Sequence, residues 1–175
     1  MRSEIINIYK FAELSDQAKQ VAIDKFRNRG EFFWADEWWQ SAQEFCRIAP
    51  VEVIRADMCA GHIDMAWRGE YEGELSGVRA WKWLLNNGWF DLARENARGG
   101  CTLTGYLGDC DLFDPIEQYE KTPAKIPELR QVFYECLQSW AFAAQRDYEW
   151  QQSDEYIAED IEANEWEFLE CGEVA

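Results

Sequence analysis

The 175-residue sequence predicts an α+β fold, in which helices pack on one side of a mostly antiparallel sheet of about four to five strands. The length suits a single domain over residues 1–175. A hydrophobic content of 47% supports a buried core and argues against intrinsic disorder. Short segments rich in β-branched and aromatic residues are interspersed with longer segments whose apolar residues repeat at helical spacing, which is typical of this class.

The amino-terminal third of the chain predicts one strand followed by two helices. The β-branched and aromatic residues of EIINIYKF favour a strand. Ser15 suits a helix N-cap, and the helix that it begins should stop at Gly30. A second helix is expected over 32–48, because tryptophans recur there at helical spacing and Pro50 follows.

Three further strands are predicted in the middle of the chain: 51–59 (VEVIRADMC), 62–71 (HIDMAWRGEY) and 101–108 (CTLTGYLG). Gly61 marks the turn between the first two strands. Ser76 or Gly77 should open a short helix, and the NNG sequence at 86–88 should separate that helix from the next one. The segment 109–115 (DCDLFDP) is predicted to be a loop.

The longest helix is predicted over 126–152, with Pro127 in its first turn. One face of this helix should be apolar, formed by Ile126, Leu129, Phe133, Leu137, Trp140, Ala144 and Tyr148. Ser153 suits the N-cap of a further, acidic helix, and 165–170 (EWEFLE) suits a closing strand.

The net charge of −17 is concentrated at the carboxyl terminus. Residues 1–30 carry six basic and four acidic side chains, whereas residues 146–175 carry one basic and eleven acidic ones. An acidic surface repels nucleic-acid phosphates and attracts basic partners. We therefore expect no direct nucleic-acid binding, and we identify the acidic segment 147–173 as the candidate site.

A helix that begins at Asp154 would place Glu155, Glu159 and Glu162 on one outer face, with Asp160 beside them. Successive carboxylates on such a face lie about 6 Å apart, a spacing similar to that of phosphates along a nucleic-acid strand. The predicted partner-binding residues are Asp154, Glu155, Glu159, Asp160, Glu162 and Glu165. This row would suit a basic groove that normally binds nucleic acid, on a host defence protein or nucleoprotein complex.

Two ordinary interpretations of the acidic row stand beside this one. The row could be a solvated face that keeps the protein in solution. It could also be neutralised internally by the basic residues of the first helix and the turn after it: Lys19, Lys25, Arg27 and Arg29.

Two clusters offer metal-ligating atoms: Asp57, Cys59, His62 and Asp64 in the first, Asp109, Asp111 and Asp114 in the second. The first has no second Cys or His pair, which a structural zinc site normally needs. The second lacks the ligand spacing and the glycine of an EF-hand loop. We predict a turn histidine and a solvated turn, with a loose calcium or magnesium site in the second cluster as the alternative.

No catalytic or cofactor motif is present: the sequence has no GxSxG, GxxxxGK[ST] or GxGxxG. We predict that the protein is not an enzyme and uses no cofactor. No apolar run reaches the roughly 18 residues of a membrane span, and no signal peptide is recognisable. We expect a cytoplasmic protein whose six cysteines are reduced and buried as small hydrophobic residues.

The ten tryptophans are unusually many. Two groups crowd apolar segments: Trp34, Trp38 and Trp39 in one, Trp81, Trp83 and Trp89 in the other. Helical spacing favours a core role for most of them. We expect some to border a binding surface, where tryptophan is enriched, with self-association as a homodimer as the alternative.

Both ends of the chain resemble a family of small, acidic, uncharacterised accessory proteins of tailed bacteriophages, some of which are labelled antitoxin-like. Residues 8–27 resemble the family's opening, with its Y-K-F-x-E-L-S element, and residues 147–168 resemble its ending, with its S-D-E and A-N-E-x-E-F elements. The resemblance implies a phage or prophage protein that acts inside a bacterial host cell. No activity or catalytic residue comes with it.

These observations favour a non-enzymatic inhibitor of a bacterial defence system, either anti-CRISPR or anti-restriction, that mimics DNA with its acidic face. The alternative is an antitoxin or another neutralising protein that binds through exposed aromatic residues. An enzyme with carboxylate or metal chemistry near Asp57, His62, Asp109 and Asp111 is a third hypothesis, and a structural phage component is a fourth.

Overall fold

The computed structural model describes residues 6–100, 102–106 and 108–175. It confirms the α+β class, with seven α-helices in the described part of the chain and about 60% helical content. The predicted sheet of four to five strands is wrong. The described residues instead form two antiparallel sheets of two strands each, in which β1 (Tyr9–Lys10) pairs with β4 (Glu167–Phe168), and β2 (Val51–Asp57) pairs with β3 (His62–Trp67).

The helices are α1 (Asp16–Arg27), α2 (Ala35–Ile48), α3 (Gly77–Asn86), α4 (Trp89–Ala97), α5 (Asp109–Glu120), α6 (Leu129–Gln151) and α7 (Asp154–Ala163). Short 3-10 helices lie at Phe11–Glu13, Tyr71–Glu74 and Pro123–Lys125. The contacts of the chain fall into two compact units: a smaller unit of residues 1–33 and 148–175, and a larger unit of residues 34–147. The single domain over 1–175 stays a prediction.

Most predicted elements are confirmed, with shifts at their ends. The helix that Ser15 caps ends at Arg27, before Gly30. The helix expected over 32–48 begins only at Ala35. The strands on either side of Gly61 form as predicted, and the closing strand at 165–170 is confirmed as β4.

The long helix begins at Leu129 rather than at 126. Ile126 and Leu129 are tied by main-chain hydrogen bonds of 2.8 and 2.9 Å to Gly77 and Leu75, which holds the chain in an extended path before the helix starts. The predicted apolar face of the helix is buried, except that Tyr148 is only half-buried.

The strand predicted at 101–108 and the loop predicted at 109–115 are both wrong. Residues 102–106 and 108 contain no strand, Cys101 and Leu107 lie outside the described residues, and 109–115 is the start of α5. The buried Asp109 carboxylate accepts the main-chain N–H groups of Thr104 and Gly105 at 3.0 and 2.9 Å, so it draws this segment into a turn. The strand predicted at EIINIYKF is present only as the two residues of β1, and positions 4 and 5 are not described.

An aromatic cluster lies at the centre of the larger unit. Phe133 is fully buried, and its ring centroid lies 4.8 Å from that of Trp89 and 6.0 Å from that of Phe45. Trp67 and Trp83 contact the same ring at 5.8 and 6.2 Å. A core role is therefore confirmed for several of the tryptophans.

The core of the smaller unit joins α1 to α7. Its buried residues are Phe11, Leu14, Ala18, Ala22, Ile23, Ile157, Ile161 and Phe168. Gly172, near the carboxyl terminus, lies against Ala18 of this core and has a positive φ of 89°. A side-chain carbon at this position would collide with the main-chain oxygen of Ala18. Glycine is therefore required there on two counts.

The five described cysteines are free thiols, and the prediction that they are buried is wrong for three of them. Cys136 is buried and Cys46 is half-buried, whereas Cys59, Cys110 and Cys171 are exposed. Within the described residues, none of the helices combines the length and the apolar character needed to cross a bilayer.

Candidate partner-binding face

The acidic helix α7 begins where the sequence predicts. The Ser153 Oγ accepts the main-chain N–H of Tyr156 at 3.2 Å, as an N-cap residue does. Asp154 and Glu155 occupy the first turn, where the positive end of the helix dipole stabilises carboxylates. The dipole accounts for these two acidic residues but not for those further along the helix, since its effect is confined to the first turn.

One face of α7 is buried and a second is fully acidic. Ile157 and Ile161 pack into the core of the smaller unit, with 6% and 0% of their surfaces exposed. Glu155, Glu159 and Glu162 are exposed and occupy positions i, i+4 and i+7. We call these three residues the acidic ridge. At 1.5 Å per residue, their Cα atoms are displaced along the helix axis by about 6 and then about 4.5 Å.

No Lys or Arg of residues 6–100, 102–106 and 108–175 forms an ion pair with the acidic ridge. The basic side chains in and after α1 are engaged elsewhere. Lys19 lies 5.8 Å from the ring of Phe11, and Lys25 lies 3.9 Å from the carboxylate of Glu173. Internal neutralisation therefore does not account for the ridge.

Asp154 is the exception, because its carboxylate forms an ion pair with Arg27. The same guanidinium contacts Asp24 at 2.8 Å and donates to the main-chain oxygen of Gln152 at 3.0 Å. Internal neutralisation is therefore correct for this residue. Asp154 joins the start of α7 to the end of α1 within the smaller unit, so it is a weaker candidate for partner binding than the acidic ridge.

The structure places the two remaining predicted residues apart from the ridge. Asp160 is half-buried and lies on a third face of α7 with Tyr156 and Asn164, whose side-chain amide donates to the Asp160 Oδ1 at 2.9 Å. Glu165 follows the helix with a positive φ of 53°, and its main-chain oxygen accepts from the Lys10 ammonium at 3.2 Å. Its exposed carboxylate lies beyond the helical row.

The first candidate metal cluster consists of residues of the β2–β3 hairpin. His62 Nε2 lies 3.4 Å from the Asp64 carboxylate, and the Asp57 carboxylate accepts the main-chain N–H of Ala60 at 3.1 Å. Partial desolvation, followed by the charge of Asp57, raises the pKa of the Cys59 thiol, although this residue remains exposed.

The three residues of the second candidate cluster all lie in the first two turns of α5, so the predicted solvated turn is wrong. Asp109 is buried and turned towards Thr104 and Gly105, whereas Asp111 is partly exposed, 3.8 Å from the Arg146 guanidinium. Burial and then the nearby charge of Asp114 raise the pKa of Asp111. Across the described residues, no three potential ligands come together in an arrangement that would hold a metal ion.

Two tryptophans are largely exposed: Trp34 in the larger unit, at 58%, and Trp150 in the smaller unit, at 50%. Trp34 precedes α2 in the left-handed conformation, with a φ of 68°, which is rare for a bulky residue. The ring of Trp150 lies 6.2 Å from that of Tyr156. The other eight tryptophans are buried or half-buried.

The sequence reasoning missed the third face of α7. Tyr156, Asp160 and Asn164 are four positions apart, so they share one side of the helix. That spacing was available in the sequence as a polar and aromatic stripe distinct from the acidic ridge. Its partners Phe26 and Trp166 could not be found in this way, because they come from opposite ends of the chain.

Comparison of the chain with protein-family models, with curated proteins and with solved structures finds no match.

Proposed function

We propose that this protein is a non-enzymatic inhibitor of a bacterial defence system, anti-CRISPR or anti-restriction, encoded by a phage or prophage and acting in the host cytoplasm. It occupies a basic nucleic-acid-binding groove of its target with the acidic ridge. One observation carries the proposal: Glu155, Glu159 and Glu162 are exposed on the same face of α7, and none of them has a cationic partner in the described part of the chain. The resemblance of both chain ends to tailed-phage accessory proteins supports the setting.

The charges around the acidic ridge support a long-range attraction to a basic groove. The sequence of the smaller unit carries fifteen acidic and six basic side chains, a net charge of −9. Helical residues three or four positions apart have Cβ atoms about 5–6 Å from each other, which is less than the Debye length of about 8 Å at physiological ionic strength, so the ridge acts on a basic groove as one row. Such a field speeds association with a basic partner, and the gain falls as salt rises.

The test is an inhibition assay on purified CRISPR effector complexes and restriction enzymes, at low and high salt. We expect the protein to block DNA binding by its target in competition with DNA, and to do so less effectively as salt rises. The triple variant Glu155→Gln, Glu159→Gln and Glu162→Gln keeps the size of each side chain and removes three charges. We expect it to lose inhibition.

A matched control removes three charges elsewhere. Glu52, Glu70 and Glu95 belong to the larger unit, are exposed, and form no ion pair with a basic residue of the described ranges. Changing all three to Gln shifts the net charge equally and should leave inhibition nearly intact. Inhibition that survives the ridge substitutions, or that ignores salt, would contradict the proposal.

The exposed tryptophans favour a second candidate function, that of an antitoxin or another neutralising protein held by aromatic contacts. Exposed tryptophan is a common energetic anchor at protein interfaces. In this case Trp34→Ala or Trp150→Ala would abolish partner binding, and the ridge substitutions would leave it intact. Testing these single variants in the same inhibition assay separates the two functions.

A further inference from the structure

The smaller unit contains a pocket of about 480 Å³, within the usual range of about 300–1,000 Å³ for ligand pockets. It is bordered by the carboxyl end of α1, the segment 31–33, the end of α6 and the third face of α7. The lining residues that matter here are Phe26, Arg29, Tyr156, Asp160, Asn164 and Trp166. All of them belong to the smaller unit.

The pocket walls are held in place by side-chain amides. The Gln151 amide accepts the main-chain N–H of Phe33 at 2.8 Å and donates to the main-chain oxygen of the same residue at 3.1 Å. Gln152 donates to the main-chain oxygen of Glu31 at 3.0 Å. These bonds order the wall formed by 31–33 and the end of α6 before a partner side chain enters.

Four charged residues line the pocket: Arg27, Arg29, Glu31 and Asp160. Arg27 is paired with Asp24 and Asp154, so the remaining lining charges are one positive and two negative, which favours a cation. Asp160 is half-buried, and no basic residue of the described ranges lies within ion-pair distance of its carboxylate. Asn164 donates to its Oδ1, which fixes the carboxylate while leaving the other oxygen available. The carboxyl end of α1 adds the negative end of a helix dipole to the same pocket.

The aromatic rings of the pocket favour a planar cation in particular. Phe26 and Trp166 meet edge to face, with ring centroids 5.3 Å apart. The guanidinium of Arg29 lies 3.9 Å from the Phe26 ring centroid and 5.2 Å from that of Trp166. The protein's own arginine thus shows that this ring pair accepts a guanidinium group.

We propose that this pocket receives an arginine side chain of the basic partner, an inference that rests on the proposed function. The acidic ridge attracts any cation, whereas the pocket selects arginine. A guanidinium can pair with the Asp160 carboxylate and stack on an aromatic ring with its planar face, and an ammonium lacks that geometry. The inserted arginine is an anchor of the complex.

The test compares the binding of hexa-arginine and hexa-lysine peptides to the full chain by calorimetry, because both carry the same charge. We expect the arginine peptide to bind about tenfold more tightly. Asp160→Asn keeps an acceptor for Asn164 and removes the charge, so it should abolish this preference. The matched control Glu155→Gln removes one carboxylate of the ridge and should weaken both peptides equally.

Arg29→Gln provides a second, independent variant. It clears the aromatic rings of the internal guanidinium, so the preference for arginine should rise. An arginine preference that is absent in the native chain, survives Asp160→Asn, or falls in Arg29→Gln would overturn the inference.

The triple variant Glu155→Gln, Glu159→Gln and Glu162→Gln distinguishes failure of the pocket inference from failure of the proposed function. If it binds both peptides as tightly as the native chain, the proposed function fails even where the preference still depends on Asp160. If the triple variant binds both peptides more weakly, and Asp160→Asn leaves the preference for the arginine peptide unchanged, only the pocket inference fails.

Discussion

Asp111 links the charge of this protein to the pH dependence of its stability. Burial and the neighbouring Asp114 raise the pKa of Asp111, and Arg146 lowers it only in part. A carboxyl whose pKa is higher in the folded state than in the unfolded state favours folding when protonated. Its stabilising contribution is complete below the ordinary pKa of 3.8 and is lost as pH rises through the raised value.

We predict that Asp111→Asn raises the melting temperature more at pH 7 than at pH 3, because the variant does not titrate. The gain at pH 7 should correspond to about 0.5 kcal/mol or less, since this side chain is partly exposed. Thermal unfolding followed by circular dichroism at both pH values measures it. The control Arg146→Gln should raise the pKa of Asp111 further. An equal effect of Asp111→Asn at the two pH values would refute the assignment.

At the scale of one element, the carboxylates of the acidic ridge repel one another, and this repulsion lowers the stability of α7. Like charges four positions apart on a helix destabilise it by a few tenths of a kcal/mol per pair. Glu159 lies between Glu155 and Glu162 and has no cationic partner in the ranges that the structure describes. A role of the acidic ridge in partner binding would account for this unfavourable placement of charges.

We predict that Glu159→Gln stabilises the protein by about 0.3–0.6 kcal/mol at low salt and that the gain shrinks as salt screens the repulsion. Urea unfolding at two salt concentrations measures the effect. Asp154→Asn is the opposite control, because it breaks the ion pair with Arg27 and should destabilise. A loss of stability in Glu159→Gln would mean that the ridge has a structural role.

The sequence was sufficient for α7 because its determinants are local. The N-cap at Ser153, the buried isoleucines and the spacing of the ridge all follow from neighbouring residues. Segment 101–108 shows the opposite case. Its β-branched and aromatic residues favour a strand, but Asp109 binds the main chain of Thr104 and Gly105, and Gly108 adopts a φ of 93° against Trp38 and Trp140.

The pocket could not be predicted at all, because its walls come from distant parts of the chain. Phe26 and Trp166 are 140 positions apart and meet only once α1 and α7 share a core. Sequence patterns identify which residues share the face of one element, and they do not identify which faces meet. The charge of the carboxyl terminus therefore indicated the acidic ridge. The contact between the third face of α7 and its aromatic partners could be identified only from the folded structure.

At the scale of the whole molecule, stability depends on the aromatic cluster of the larger unit. Phe133 is fully buried and contacts four other aromatic rings, so its truncation would leave a large cavity. We predict that Phe133→Ala destabilises the protein by about 3–5 kcal/mol, measured by chemical denaturation. The exposed Phe142 is the matched control, and Phe142→Ala should cost less than about 1 kcal/mol. Similar losses in the two variants would contradict this account of the core.

The most direct test of the central claim is affinity capture from a bacterial lysate on three immobilised proteins, eluted with a salt gradient. The three are the native chain, the ridge variant with Gln at 155, 159 and 162, and the control variant with Gln at 52, 70 and 95. We predict that a nucleic-acid-binding defence protein is retained by the native chain and the control, elutes as salt rises, and is missing from the ridge variant. Retention of the same protein by the ridge variant, or its equal loss from both variants, would contradict the claim.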